Sequence, residues 1–354
     1  MKRVLIVMVA VCLLLSGCSL MDGEHLSVTP HELPLIGNQT TTLSVSDYWS
    51  LVDVLETMVR AGTENMVLSV AQYNQKSLNI GVQSAAKHLK EKDPLGSWAV
   101  DNVKYEIGTS GGQPVVSVNI SYIHGRARIR QVQSVENMEQ LEARVEGALE
   151  ECTDSLVLLV DQYDRKDLIQ MVEDYAEAYP NLVMEIPSVA VGVYPNEASG
   201  TRVVELSFTY QTSRESLRQM QNQVKRVFSS AELYINSDST DSQKYSQLYS
   251  FLMERYDYTV GTSITPAYSL LVHGVGDSQA FASVYAAMCR QAGLECRVIS
   301  GTKNGEAWWW NLVRVDGKWC HVDLLESSAR GGFACYENRQ MEGYVWDYSA
   351  YEDA

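Results

Sequence analysis

The stretch Gly274-Val275-Gly276-Asp277-Ser278-Gln279-Ala280-Phe281-Ala282 decides the fold of the C-terminal part of the chain. Asp277 or Gly276 can cap a helix that begins here. The apolar residues recur at steps of three and four, as on a helix with one buried face. They are Phe281, Val284, Tyr285, Met288, Cys289 and Ala292. Ser278 lies three residues before Phe281, so we predict that it faces inward at the helix N-terminus, where the helix dipole favours an anion.

A β-hairpin is predicted to follow this helix. Its strands cover residues 307–315 and 318–324, and Asp316-Gly317 between them is a strong signal for a two-residue turn. Extending the register from the turn places Trp310 opposite Asp323, with His321 on the same face. Trp308 then becomes the diagonal neighbour of Asp323, within reach of a long side chain.

Three segments of this region together resemble the transglutaminase-like superfamily of cysteine enzymes. They are residues 274–282, 305–311 and 317–323. The resemblance extends over residues 240–350 and implies a papain-like α+β domain. It places Ser278 where the family carries its nucleophilic cysteine and Trp308 where it carries the catalytic histidine. Asp323 matches the aspartate that orients this histidine.

These substitutions remove both halves of a cysteine-type mechanism. Such a mechanism needs a thiolate and a base, whereas Ser278 offers a hydroxyl and the Trp308 indole N–H can only donate. We expect Asp323 to accept the Trp308 N–H. His321 is the alternative base, because the register places it on the face of Asp323. Trp308 and Trp310 are expected to line the former cleft.

The N-terminus predicts a lipoprotein signal over residues 1–18. Lys2-Arg3, a short apolar run and the tetrapeptide Leu15-Ser16-Gly17-Cys18 resemble a bacterial signal that is cleaved before Cys18, with a diacylglycerol on the Cys18 thiol. Residues 19–42 read as a tether. The expected location is the cell membrane, lipid-anchored on the extracytoplasmic face. The formal charge of −16 disfavours nucleic acid as a partner.

Five cysteines remain once Cys12 is removed and Cys18 is acylated. They are Cys152, Cys289, Cys296, Cys320 and Cys335. This odd set without a Cys-x-x-Cys pair argues against a disulfide scaffold or a zinc site, although an oxidising compartment leaves room for one bridge. No metal, nucleotide or flavin motif appears, so no cofactor is predicted.

An internal duplication is predicted between the tether and the C-terminal domain. Residues 67–78 recur as residues 157–168, at an offset of about 90 residues. Each copy reads as helix, strand, helix and two strands. The predicted organisation is a repeat at 43–134, a second repeat with a connecting helix at 135–236, and a transglutaminase-like domain at 237–354.

The sequence therefore predicts an α+β cell-surface lipoprotein with two tandem α/β repeats and a degenerate transglutaminase-like domain. We expect this domain to be an inactive binding or assembly module, with an envelope protein or peptidoglycan as partner. The alternative is an envelope hydrolase or acyl transferase that uses Ser278 with His321 and Asp323. A third hypothesis places the function in the repeats and makes the C-terminal domain a scaffold.

Overall fold

The computed structural model describes residues 43–351, which form two small N-terminal α/β modules and a C-terminal α+β unit. The predicted α+β class is confirmed. The signal peptide, Cys18 and the tether lie outside the described residues. Within the described range, no helix combines the length and the apolar character that a membrane span requires.

Module 1 (residues 43–130) is a four-stranded sheet with helices packed on one face. Its elements are β1 Leu43–Ser44, α1 Tyr48–Ala61, β2 Asn65–Ser69, α2 Leu78–Glu91, α3 Pro94–Ala99, β3 Val100–Ser110, β4 Gln113–Tyr122 and α4 Arg126–Arg130. The strand order is β1-β2-β4-β3, with β1 parallel to β2 and the other pairs antiparallel. The short helix α3 precedes β3, because Asp93 caps it and Pro94 is its first residue.

Module 2 (residues 133–209) has the same strand order, β5-β6-β8-β7, with the same parallel and antiparallel pairs. Its elements are β5 Gln133–Asn137, α5 Met138–Glu150, β6 Ser155–Asp164, α6 Leu168–Ala178, β7 Ser188–Tyr194 and β8 Ser199–Thr209. Leu158 pairs with Val204 as Leu68 pairs with Val116. This shared topology is what a duplication predicts, and the duplication itself stays a prediction.

The helical side of module 1 packs on the outer sheet face of module 2. Val203 of β8 is fully buried in the apolar core of module 1, and Val157 and Leu159 of β6 pack against that core. At the edge of the interface, the Trp98 indole N–H donates to a Glu205 carboxylate oxygen at 3.1 Å. Arg128 forms an ion pair with the same carboxylate.

The C-terminal unit follows the long helix α7 Arg214–Tyr234. Its elements are α8 Asp241–Met253, β9 Asp257–Tyr258, α9 Pro266–Tyr268, a π-helical turn Ser269–His273, β10 Val275–Gly276, α10 Ser278–Gln291, β11 Cys296–Lys303, β12 Glu306–Val315, β13 Lys318–Val322, α11 Leu324–Ala329, a 3-10 turn Asn338–Gln340, β14 Tyr344–Trp346 and a 3-10 turn Tyr348–Tyr351. The antiparallel sheet has the order β13-β12-β11-β14, and α10 packs against β11 and β12.

The predicted hairpin forms in the predicted register near its turn. Asp316 and Gly317 both have positive φ, as the two-residue turn requires. Val315 pairs with Lys318. The predicted pairing of Trp310 with Asp323 was wrong, because the ladder ends one residue earlier and Asp323 leaves the strand as the N-cap of α11.

Candidate functional site

Ser278 is the first residue of α10 and is held inside the domain, as the helical pattern predicts. The Asp277 carboxylate caps the helix by accepting the Ala280 backbone N–H at 2.9 Å. Ser278 is 5% exposed. Its Oγ accepts the backbone N–H of Trp309 at 3.3 Å. The hydroxyl therefore faces strand β12 and accepts a hydrogen bond from its backbone.

Trp308 lies on β12 with its indole directed at Asp323. Nε1–H donates to Asp323 Oδ2 at 2.7 Å, which is the hydrogen bond expected from the sequence. On its other side, the indole contacts the ring of Tyr258, with the ring centroids 5.7 Å apart. Lys303 Nζ lies 4.8 Å from the Trp308 ring centroid, a cation–π distance.

The Asp323 carboxylate is 2% exposed and accepts five hydrogen bonds. Oδ1 accepts the backbone N–H groups of Leu325 and Glu326 at 3.0 and 3.1 Å. Besides the indole, Oδ2 accepts the Tyr344 hydroxyl at 2.6 Å and Lys303 Nζ at 3.2 Å. A buried carboxylate with this many donors is fully satisfied as an anion.

Lys303 and Tyr344 are the site residues that the sequence analysis missed. Lys303 Nζ also binds Glu326 Oε2 at 2.9 Å, and this hydrogen bond lowers the pKa of the Glu326 carboxyl. Burial and the hydrogen bond to Asp323 raise the pKa of the Tyr344 hydroxyl. Extending the hairpin register to the preceding strand would have found Lys303, because it shares a face with Trp308 by the period-two rule.

His321, the predicted alternative base, is 1% exposed and has both ring nitrogens engaged. Nδ1 accepts the Trp310 indole N–H at 2.9 Å, so the proton of the neutral ring lies on Nε2. Nε2 is 2.7 Å from Asn338 Oδ1, to which it donates. Burial lowers the pKa of His321. Because its free lone pair is occupied, this geometry gives no support to His321 as the base for Ser278.

Trp310 does not line a cleft, and that expectation was wrong. It is 1% exposed, and its ring contacts Tyr344 and Trp346 at centroid distances of 5.1 and 5.7 Å. Trp309, the next residue of β12, is half-buried. The C-terminal strand β14 pairs with β11 at the edge of the sheet, and its Tyr344 and Trp346 side chains pack on the same face as Trp310.

The comparisons with known proteins place a family within this unit. Residues 230–324 match the model of the transglutaminase-like superfamily. The C-terminal unit is a transglutaminase-like domain. The match begins in α7 and ends at the first residue of α11, so it includes Ser278, Trp308 and Asp323 but stops before β14, whose Tyr344 binds Asp323.

Two solved structures illustrate the similarity to known folds. One is titled a TGase, with 10% identity, a TM-score of 0.29, and coverage of 70% of this chain and 74% of that chain. Another is the periplasmic domain of TgpA from Pseudomonas aeruginosa bound to ethylmercury, with 17% identity, a TM-score of 0.25, and coverage of 38% and 60%. Scores this low carry no argument about function. Curated protein sequences gave no match.

The transglutaminase-like domain therefore holds a buried hydroxyl, Ser278, and a buried carboxylate, Asp323, whose acceptor sites are occupied. The Trp308 indole reaches from β12 to this carboxylate at the start of α11. Trp308 can donate one hydrogen bond and cannot accept a proton. Within residues 43–351, no group of three or more His, Cys, Asp and Glu side chains is arranged to hold a metal ion.

Proposed function

We propose that the transglutaminase-like domain is catalytically inactive and works as a binding or assembly module at the cell envelope. The hydrogen bond of 2.7 Å from Trp308 Nε1 to Asp323 Oδ2 carries this proposal. This hydrogen bond occupies the carboxylate that would orient a catalytic base. The side chain that makes the bond is an indole, which is not a base. Ser278 then lacks the neighbour that a serine nucleophile needs for activation.

The hydrogen bond made by the Ser278 hydroxyl also supports an inactive domain. Its oxygen accepts a backbone N–H from Trp309, and among the described residues no base accepts its proton. The alternative base, His321, is engaged with Trp310 and Asn338. The hydrolase or acyl-transferase alternative therefore has no structural observation in its favour.

An exposed apolar rim on the segment that runs from β9 to α10 supports a binding role. The rim consists of four side chains of this segment, Tyr258, Val260, Ile264 and Val275, which are 43, 87, 51 and 38% exposed. Tyr258 contacts the Trp308 ring, and Val275 lies three residues before Ser278. An apolar rim of this kind suits a protein partner that presents an apolar segment. Peptidoglycan, whose glycan strands are polar, fits it less well.

The envelope location rests on the sequence signal at Cys18. We propose that a lipid on Cys18 holds the chain on the extracytoplasmic face of the membrane. Metabolic labelling with a fatty acid should then mark the chain, and Cys18→Ala should lose the label. A fatty-acid label that persists in this variant would contradict a lipid on Cys18.

Inactivity is tested by looking for an acyl group on Ser278. The full chain is incubated with activated acyl esters and glutamine-containing peptides, and its intact mass is measured. We expect no added mass, and none in Ser278→Ala. An acyl adduct that maps to Ser278 and is absent from the variant would overturn the assignment.

The binding role is tested with a photo-crosslinking residue placed at Val260 in cells. We expect one discrete crosslinked partner, and we expect Val260→Ser to weaken its binding to the purified chain. The matched control is the same probe at Ile80 of module 1, an apolar residue that is 67% exposed. Crosslinking of the partner from Ile80 alone would favour the hypothesis that the modules carry the function.

A further inference from the structure

Cys320 and Cys335 lie on two backbone segments that run side by side. His321 of β13 and Tyr336 form an isolated antiparallel bridge and exchange both backbone hydrogen bonds, at 2.8 and 2.9 Å. Each cysteine precedes its bridge residue by one position. In an antiparallel pair, residues so placed are diagonal neighbours on one face. The bridge therefore directs both thiols to the same side.

The two thiols interact with each other. The Cys335 thiol is the main cause that raises the pKa of Cys320, and the Cys320 thiol is the main cause that lowers the pKa of Cys335. Cys335 is exposed and Cys320 is half-buried. An exposed thiol of lowered pKa with a second thiol in reach is the arrangement of a reactive pair.

We propose that Cys320 and Cys335 form an intramolecular disulfide when the chain meets a disulfide oxidant. The Cys335 thiolate attacks a sulfur of the oxidant, which gives a mixed disulfide and releases one thiol. Cys320 loses its proton to solvent and attacks the Cys335 sulfur, which releases the second thiol. The oxidant gains the two electrons that the cysteines lose.

The backbone can accommodate this bond with a small movement. Diagonal neighbours have Cα atoms about 7 to 8 Å apart, just beyond the usual disulfide range of about 4.4 to 6.8 Å. Residues 333–335 are irregular backbone between α11 and the bridge, so they can move toward β13. The disulfide would fasten the segment that carries Asn338, the partner of His321, to the strand that leads into Asp323.

Cys289 and Cys296 provide an internal control. These two side chains also interact, but Cys289 is fully buried, and burial raises the pKa of its thiol well above the ordinary value. Buried thiols of high pKa react slowly in thiol–disulfide exchange. The proposal therefore places the bond at the exposed pair and leaves Cys289 reduced.

The test uses the full chain with oxidised glutathione, followed by acid quenching, alkylation under denaturing conditions and peptide mapping. We expect a peptide linked through Cys320 and Cys335, with Cys152, Cys289 and Cys296 alkylated. The melting temperature should rise by several degrees, because the bond closes a loop of about 15 residues. Dithiothreitol should reverse the rise.

Matched variants distinguish the proposal from its alternatives. Cys335→Ser should abolish both the linked peptide and the rise in melting temperature, whereas Cys296→Ser should keep both. Recovery of Cys320 and Cys335 as separate alkylated or glutathione-modified peptides would overturn the proposal. A linkage between Cys289 and Cys296 in its place would overturn it as well.

Discussion

At the residue scale, the indole of Trp308 donates a hydrogen bond to Asp323 from the position where the family resemblance predicts a catalytic base. Trp308→Phe keeps an aromatic ring, smaller than the indole, and removes the N–H, so Asp323 loses one of its donors. We expect the free energy of unfolding to fall by about 1 to 3 kcal/mol, measured by urea denaturation. Trp309→Phe is the matched control, and an equal loss in that variant would contradict a specific role for the Trp308 N–H.

His321 gives a pH dependence at the same scale. Its pKa is lowered in the folded protein by burial, so the unfolded chain takes up a proton at a higher pH than the folded one. Stability is therefore retained above the unfolded pKa of about 6.5 and lost as the pH falls below it, by up to about 1.4 kcal/mol per pH unit. Urea midpoints between pH 7 and pH 5 measure this loss. His321→Gln should reduce the slope, and an unchanged slope would assign it to other groups such as His124, whose pKa burial also lowers.

At the element scale, the capped start of α10 positions Ser278. Asp277→Ala removes the side chain that accepts the Ala280 N–H, and we expect a loss of about 1 kcal/mol in the free energy of unfolding. Thermal unfolding monitored by circular dichroism measures it. Asp53→Ala, an exposed aspartate inside α1, is the control and should change the stability little. Equal effects in the two variants would show that the cap is not needed.

The same elements show what the sequence could predict. Local signals gave the helix at Ser278 and the hairpin turn at Asp316-Gly317, because capping and turn chemistry depend on neighbouring residues. Lys303 precedes the Asn304-Gly305 turn that joins β11 to β12, a local hairpin signal that was overlooked. Tyr344 reaches Asp323 through the pairing of β14 with β11, which no local pattern specifies. The filled face around Trp310 was missed for this second reason, since Tyr344 and Trp346 of β14 pack against Trp310.

At the scale of the whole molecule, Glu205 joins the two modules by accepting from Trp98 and pairing with Arg128. Glu205→Ala leaves the indole N–H without this partner, so we expect faster proteolysis between the modules, near residues 131–133. Limited trypsin digestion followed by mass spectrometry measures the rate. Glu139→Ala, on the helix α5, is the control. An unchanged cleavage rate in Glu205→Ala would mean that apolar packing alone holds the interface.

The outer sheet faces of the two modules also differ in sequence. Module 2 offers Leu159 and Glu205 to its neighbour, whereas the corresponding positions of module 1 are Ser69 and Ser117. Module 1 keeps valines, Val67 and Val115, at the positions of Val157 and Val203, but it has no carboxylate at the position of Glu205. Its outer sheet face therefore lacks the acceptor that binds an indole N–H and a guanidinium at the present interface. A chain lengthened by a third module on that face would first need an acidic residue at position 117, whereas a module inserted between the present two would leave the first module's sequence unchanged.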